Sequence, residues 1–495
     1  MLKPSHPKQS ELEMVTIEEL VPKDHLLRLI DRHIDFSFIR ARTEHLYCSD
    51  NGRPALDPVA LFKMLLIGYL FGVRSERRLM QEIQVNVAYR WFVGLNLTER
   101  VPDASTFSQN RRRRFAGTGI EQDIFDAIVA QAIKHGLIGG QVLYSDSTHL
   151  KANANKNRFV VHEVEQKPVA YLAELDAAID VDRAQHGKPP LKPRDEVVQT
   201  KEIKVSTSDK DAGYMTREGK PQGFFYLDHR TVDSRHALIT DTHVTPGNVH
   251  DSQPYLGRLD RQCERFGLTP LAVGLDAGYF TPMICNGLEQ RGVYGVIGYR
   301  RPNHQDGYLY KREYHYDAQR DAYVCPQGQF LPYRTTNRVG YREYRSDPHQ
   351  CRDCPLRGQC TKSANFTKVL VRHVWDDAKE RVNGHRLTPQ GKKIYERRKE
   401  TVERSFADAK ELHGHRYARF RGLEKVRAQC LMAAAAQNIK KIARLLAQLL
   451  WPLDALATML KTPVLAWIAL ARQITRSADS ITSFALAAPQ TTNPA

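Results

Sequence analysis

The chain has 495 residues and carries 73 Lys and Arg against 56 Asp and Glu, a formal net charge of +17 with a pI near 9.4. That length supports a large core in two or three domains, and charge spread through ordered-looking sequence favours a nucleic acid or another polyanion as partner over a small metabolite. No cleavable apolar leader opens the chain, and Pro452, Asp454, Lys461 and Pro463 break the longest apolar run. The reading excludes a signal peptide and a membrane span and predicts a cytosolic protein.

Residues 1–135 read as a helical domain suited to DNA. Asp57-Pro58 pairs an N-cap with a first-turn proline, the apolar spacing of VALFKMLLIGYL predicts a helix, and Gly72 should stop it. A second helix follows from Ser75, and Asp103 or Ser105 caps a third that carries Arg111, Arg112, Arg113 and Arg114. Short helices joined by tight turns and bearing an arginine block are the geometry of helix-turn-helix modules, or else a packing domain with a solvated basic face.

From Gly139 the texture changes to strands. QVLYSDSTHLKAN alternates apolar residues and delivers Asp146 near its end. Residues 160–200 read as a charged, helical, exposed hairpin, followed by a strand pair turning at Asp233-Ser234 and a helix capped at Asp251 or Ser252. PLAVGLDAGYF is a buried strand ending on Asp276, and YGVIGYR is another strand. The order predicts an α/β fold: a mixed sheet with helices on its faces and strand ends gathered along one edge.

The stretch 395–427 places Glu403 inside the most basic run of the chain, flanked by Arg397, Arg398, Arg404, Arg416, Arg419 and Arg421. A helix there sets Glu403 and Lys410 on one face, two turns apart; the rival reading is a solvated helix in which Lys399 pairs with Glu403. Asp146, Asp276 and Glu403, from three elements of a basic chain, suit phosphodiester chemistry, where paired hard cations activate one oxygen and stabilise another.

Cys325, Cys351, Cys354 and Cys360 cluster before that helix, with spacing that fits a structural Zn²⁺ site, a reduced cluster without metal, or a redox pair; His349 is a possible substitute ligand. Cys48, Cys263, Cys285 and Cys430 read as small buried hydrophobes. The run AQCLMAAAAQNIKKIARLLAQLL predicts an amphipathic helix packed under the sheet or, second, used in a dimer contact, and residues from 475 on read as disordered.

The motifs GRPALDP, LLIGYLFGVRSERRL, PDASTFSQNRRRRF, DSTHLKANANK, VTPGNVHDS, LDAGY, CPQGQFL with CRDCPLRGQC, and TVERSFADAKELHGHRYARFRG together resemble the DDE transposases of bacterial insertion sequences, in the IS4-like group and the IS1182 type. The resemblance covers nearly the whole chain. It implies an RNase H-like catalytic domain over 139–300 and 390–450, a cysteine-bearing insertion over 301–389, and a C-terminal helix and tail over 451–495. It further implies Asp146, Asp276 and Glu403 as catalytic ligands of Mg²⁺ or Mn²⁺, and Lys410, Arg398 and Arg404 on DNA. The partners would be double-stranded DNA, as terminal inverted repeats and target, and a second copy in a homodimer on DNA in the bacterial cytosol. Alternatives on the same residues are a nuclease that does not join ends and an inactive DNA-binding remnant. The family signature is Tyr, two residues, Arg, three residues, Glu, six residues, Lys. Here Tyr395 and Arg398 stand one residue too far upstream, which leaves the arginine's part open among Arg397, Arg398 and Lys399, with Glu400 and Glu411 as rival acids.

Overall fold

A computed structural model describes residues 14–48, 55–165, 171–192, 200–216, 222–301 and 306–459. The expectation of a disordered tail from 475 lies outside them. Among the described residues no helix is long and apolar enough to cross a membrane.

The N-terminal region is helical, and its ends sit where the sequence puts them. Asp57 accepts from Val59 N at 3.1 Å to open the Pro58–Leu70 helix, and Gly72 follows it at φ +69°. Ser75 caps Glu76–Val85, and Asp103, not Ser105, caps Ala104–Asn110.

The main sheet holds β1 (Val142–Lys151), β5 (Gly223–Asp233), β6 (Ile239–Pro246), β7 (Ala272–Leu275) and β8 (Tyr294–Ile297), with β4 (Gly213–Met215) paired to the start of β5. Their order is β6-β5-β1-β7-β8: β6, β5 and β1 run antiparallel, while β1, β7 and β8 run parallel. Side chains alternate across the sheet, so Tyr144 joins one core and Leu143 the other. Leu143 packs with Val273, Leu275 and the helices over 255–266, 282–290 and 376–385. On the opposite face the Leu423–Met459 helix lays Ala433, Ala434, Ala435 and Ala436 between the sheet and the N-terminal helices, in one continuous apolar cluster. Small side chains there let the helix approach closely, and the packing expected of this segment is what it does.

Residues 160–200 depart from the helical, exposed hairpin. β2 (Phe159–Glu165) pairs antiparallel with β3 (Thr200–Ser206), and among the described residues between them only Leu172–Gln185 is helical. That helix docks on the second sheet because Asp182 accepts from Arg342 Nε at 2.6 Å and Arg183 donates to the Thr336 carbonyl at 2.8 Å. The second sheet, β9 (His315–Asp317) to β13 (Val369–His373), is antiparallel in the order β13-β12-β11-β10-β9, with β10 (Ala322–Val324), β11 (Phe330–Thr336) and β12 (Tyr341–Arg345) between. Tyr314, Tyr323, Leu331, Tyr344 and Leu370 form its core, against which Cys325 and Cys360 pack.

Candidate active site

Register places the first two acids side by side. Ser145 of β1 pairs with Leu275 of β7 in the parallel ladder, so Asp146 and Asp276 are each the next residue on neighbouring strands. Strands so paired are about 4.8 Å apart. Asp276 directly follows β7 and enters a short turn over 277–279, whereas β1 continues past Asp146 to Lys151, so Asp146 is not a strand end. Its Oδ1 accepts from Ser147 N at 2.8 Å and its Oδ2 from Arg398 Nη2 at 2.8 Å. Burial pushes the Asp146 carboxyl up to about 6; Arg398 and the Ser147 N–H oppose the rise, and the charges of Asp276 and Asp251 add to it.

Glu403 reaches the same place through an irregular helix. Residues Lys399–Glu403 form a π-helical turn between Pro389–Glu396 and Arg404–Leu412, and Glu403 N donates to Arg398 O, five residues back, at 3.1 Å. A π turn holds one extra residue per turn of α-helix. The extra residue between Arg398 and Glu403 is thereby absorbed, and both side chains keep one face: Arg398 Nε lies 3.7 Å from Glu403 Oε1. The Lys399 pairing is not what forms; the partner is the buried Arg398, whose Nε and Nη1 have no hydrogen-bond acceptor. Tyr395 stands beside it, with the Arg398 guanidinium 5.6 Å from its ring. A Cβ on Gly298 would lie 2.6 Å from Tyr395 Oη and 2.9 Å from Ala277 N, so only glycine lets this tyrosine approach the residue after Asp276. Burial raises the Tyr395 pKa, Arg398 opposes, and the charges of Asp276, Glu403 and Asp146 raise it further.

The remaining basic residues divide. Lys410 is half-buried, and burial, then Arg416 and Arg230, lower its pKa while Asp146 raises it. Arg404 is exposed and pairs with Asp408 at 2.9 Å. Of the arginine block, Arg112 and Arg113 face solvent. Arg111 pairs with Glu76 and stacks 4.3 Å over Phe420, and Arg114 stacks 4.4 Å over Tyr47, so these two are held inward.

Sequence reasoning missed the polar layer beneath Glu403. Arg230, register partner of Asp146, donates to Asp228 at 2.9 Å, to Ser405 Oγ at 3.2 Å and to Gln437 Oε1 at 2.7 Å, all in the interior. Asp228 also accepts from His415 and Thr242; burial works against its charge, yet Arg230 and His415 hold its carboxyl well below the usual range. The signal was visible: DHR inside a strand that is buried at every position. Among the described residues, Asp228, His415 and Cys430 are the one group of three such side chains whose ligand atoms lie within 4.8 Å of one another. They do not fit a metal, because Asp228 is already saturated by three donors and burial keeps Cys430 a neutral thiol.

The four clustered cysteines are free thiols, no three of them with sulfurs within 4.8 Å of one another: burial raises Cys351, the Ser346 hydroxyl opposes, and the charges of Cys360, Cys354 and Cys325 add to the rise. Tyr314 Oη is 3.0 Å from Cys360 Sγ. Of the scattered cysteines, Cys285 and Cys430 are buried as expected, whereas Cys263 is half-buried and Cys48 is exposed.

A basic chain whose mixed sheet gathers carboxylates at one edge, with an arginine among them, has the character of an enzyme acting on a polyanion. Residues 15–113 match the family described as Transposase domain (DUF772), and residues 324–443 match Transposase DDE domain. The chain thus carries the domains of a DDE transposase, an enzyme of DNA transposition that cleaves and transfers DNA, and that family depends on divalent metal ions. The second match takes in the cysteines, Arg398, Glu403 and Lys410; Asp146 and Asp276 lie between the two matched segments. No curated protein matches the chain. A piggyBac transposase synaptic complex with hairpin DNA, solved by cryo-electron microscopy, is 11% identical and covers 95% of this chain and 86% of its own, with a TM-score of 0.33.

Proposed function

We propose that this transposase, of the IS4-like group and IS1182 type, cuts the ends of its own element and joins them to target DNA at Asp146, Asp276 and Glu403. The observation that carries this is the meeting of the three acids: two on adjacent parallel strands, the third tied to the first through Arg398. The sheet order, three antiparallel strands followed by two parallel ones, supports an RNase H-like catalytic domain with the 301–389 segment inserted.

The donor set fits a hard divalent cation: carboxylate oxygens in excess of nearby positive charge, one of them buried enough to hold a proton near neutrality. Bound by these acids, Mg²⁺ or Mn²⁺ would activate the attacking oxygen and stabilise the leaving one. Arg398, with donors to spare, is placed to take a phosphate oxygen and to orient Asp146 and Glu403. Lys410 and Arg404 extend a basic track from the site, and Arg112 and Arg113 present a second one on the helical region, which we assign to gripping the terminal repeats. We assign the four thiols to one structural Zn²⁺ that folds the insertion, since tetrahedral sulfur leaves no position for chemistry. A homodimer that pairs two ends in the cytoplasm completes the proposal.

The test is purified protein with Mg²⁺, a labelled element end and a second duplex. Joined product is expected, and it should vanish with Asp146→Asn, Asp276→Asn or Glu403→Gln taken singly. Cut product without joining would make the protein a nuclease, and an acid whose loss changes nothing was misassigned.

A further inference from the structure

The motif VTPGNVHDS holds an acid that the reading above leaves without work. As a sequence it suggests a helix cap at Asp251 or Ser252, yet the helix begins at Tyr255 with Pro254 as its N-cap. Ser252 is used locally, its hydroxyl 2.8 Å from His250 Nδ1. Asp251 caps nothing. Its Oδ1 is buried with no hydrogen-bond partner, and its Oδ2 lies 4.0 Å from where a Cβ on Gly278 would stand, two residues beyond Asp276. Its charge is felt by Asp146 and by the buried Tyr279.

We propose that Asp251 is a fourth carboxylate of the cation site, facing Asp146 and Asp276 from the turn before the Tyr255–Phe266 helix. A carboxylate oxygen removed from water and given no donor is strongly disfavoured unless a cation meets it. The Arg398 guanidinium pairs instead with Asp146 and Glu403. A structural brace would hold a hydrogen bond, and none reaches Oδ1. Oxygen is also the donor a hard cation prefers.

This inference rests on the three-acid reading of the site, so its test separates the two. Full-length wild type, Asp251→Asn and Asp146→Asn are titrated with Mn²⁺, free ion being followed by electron paramagnetic resonance, and unfolding is measured in EDTA. Wild type is expected to bind about two ions per chain, and Asp146→Asn to lose binding. Asp251→Asn is expected to bind one ion fewer or at least about tenfold more weakly, with unfolding in EDTA unchanged or shifted upward, since a like charge has gone. Wild-type binding by Asp251→Asn alone overturns the role of Asp251; wild-type binding by both variants overturns the site. Should Asp251→Asn not fold, Fe²⁺ with ascorbate and peroxide on the wild-type protein decides instead. Oxidative chain cleavage is then expected beside residue 251 as well as 146 and 276, and cleavage at the latter two alone overturns the proposal.

Discussion

Arg398 donates from Nη2 to Asp146 Oδ2 across 2.8 Å, joining residues 252 positions apart in sequence. The guanidinium sits where positive charge is most wanted among the acids, and it competes with any cation for the same oxygen. Arg398→Ala should therefore tighten Mn²⁺ binding by about tenfold, the worth of one partly screened ion pair, while end cleavage falls. Calorimetric titration beside a cleavage assay reads both, and weaker Mn²⁺ binding would show that the arginine orders the acids more than it competes.

Asp146 gives the metal-free protein a defined pH response. Its carboxyl is raised from 3.8 to about 6, so the folded state holds the extra proton. The stability this contributes is full below about 4 and is lost as pH rises through about 6. In EDTA, Asp146→Asn should unfold at higher denaturant than wild type at pH 8, by on the order of 1–2 kcal/mol, and lose that advantage near pH 4. Mn²⁺ affinity of the wild type should climb up to about pH 6 and level above it, because below that value the ion must displace a proton.

The π turn makes a prediction about length. Deleting the exposed Glu400 should convert Lys399–Glu403 into plain α-helix and leave Arg398 and Glu403 on one face, with joining activity within about tenfold of wild type. Inserting one alanine after Lys399 should rotate Glu403 by about 100° and abolish joining while the protein stays folded by circular dichroism. Equal loss in both variants would mean that the π turn itself is required.

Beneath the site, Arg230 anchors the helix that follows Glu403 through Ser405 and the long C-terminal helix through Gln437. Arg230→Met leaves Asp228 as a buried charge with less compensation, at a cost of about 3–5 kcal/mol. Urea unfolding should show that loss, and Arg230→Met with Asp228→Asn should recover part of it.

The thiol cluster predicts about one Zn²⁺ per chain by metal analysis of the purified protein. Cys354→Ser should lower the zinc content and the unfolding temperature, and a strong chelator should do the same to wild type. Full stability without zinc would leave the cysteines as plain packing groups.

Several features were set by local chemistry and so were legible in the sequence. Asp57-Pro58, Ser75, Asp103 and Gly72 fix helix ends through backbone donors a few residues away. Apolar alternation announced β1, apolar runs between turn residues announced β5, β6, β7 and β8, and the motif set carried the family. What local chemistry could not supply was partnership. Asp251 looked like a cap because Asp before a helix usually is one, and its approach to Gly278 depends on how two distant turns meet. The 172–185 helix looked exposed until Arg342 and Thr336 arrived from the second sheet. Above all, the spacing of Tyr395, Arg398 and Glu403 counted residues along a chain, whereas a π turn counts them around an axis. The sequence determined which acids and bases exist and which strands carry them; packing alone decided that Arg398 joins Asp146 to Glu403, because a guanidinium chooses its carboxylates by distance and burial, not by order along the chain.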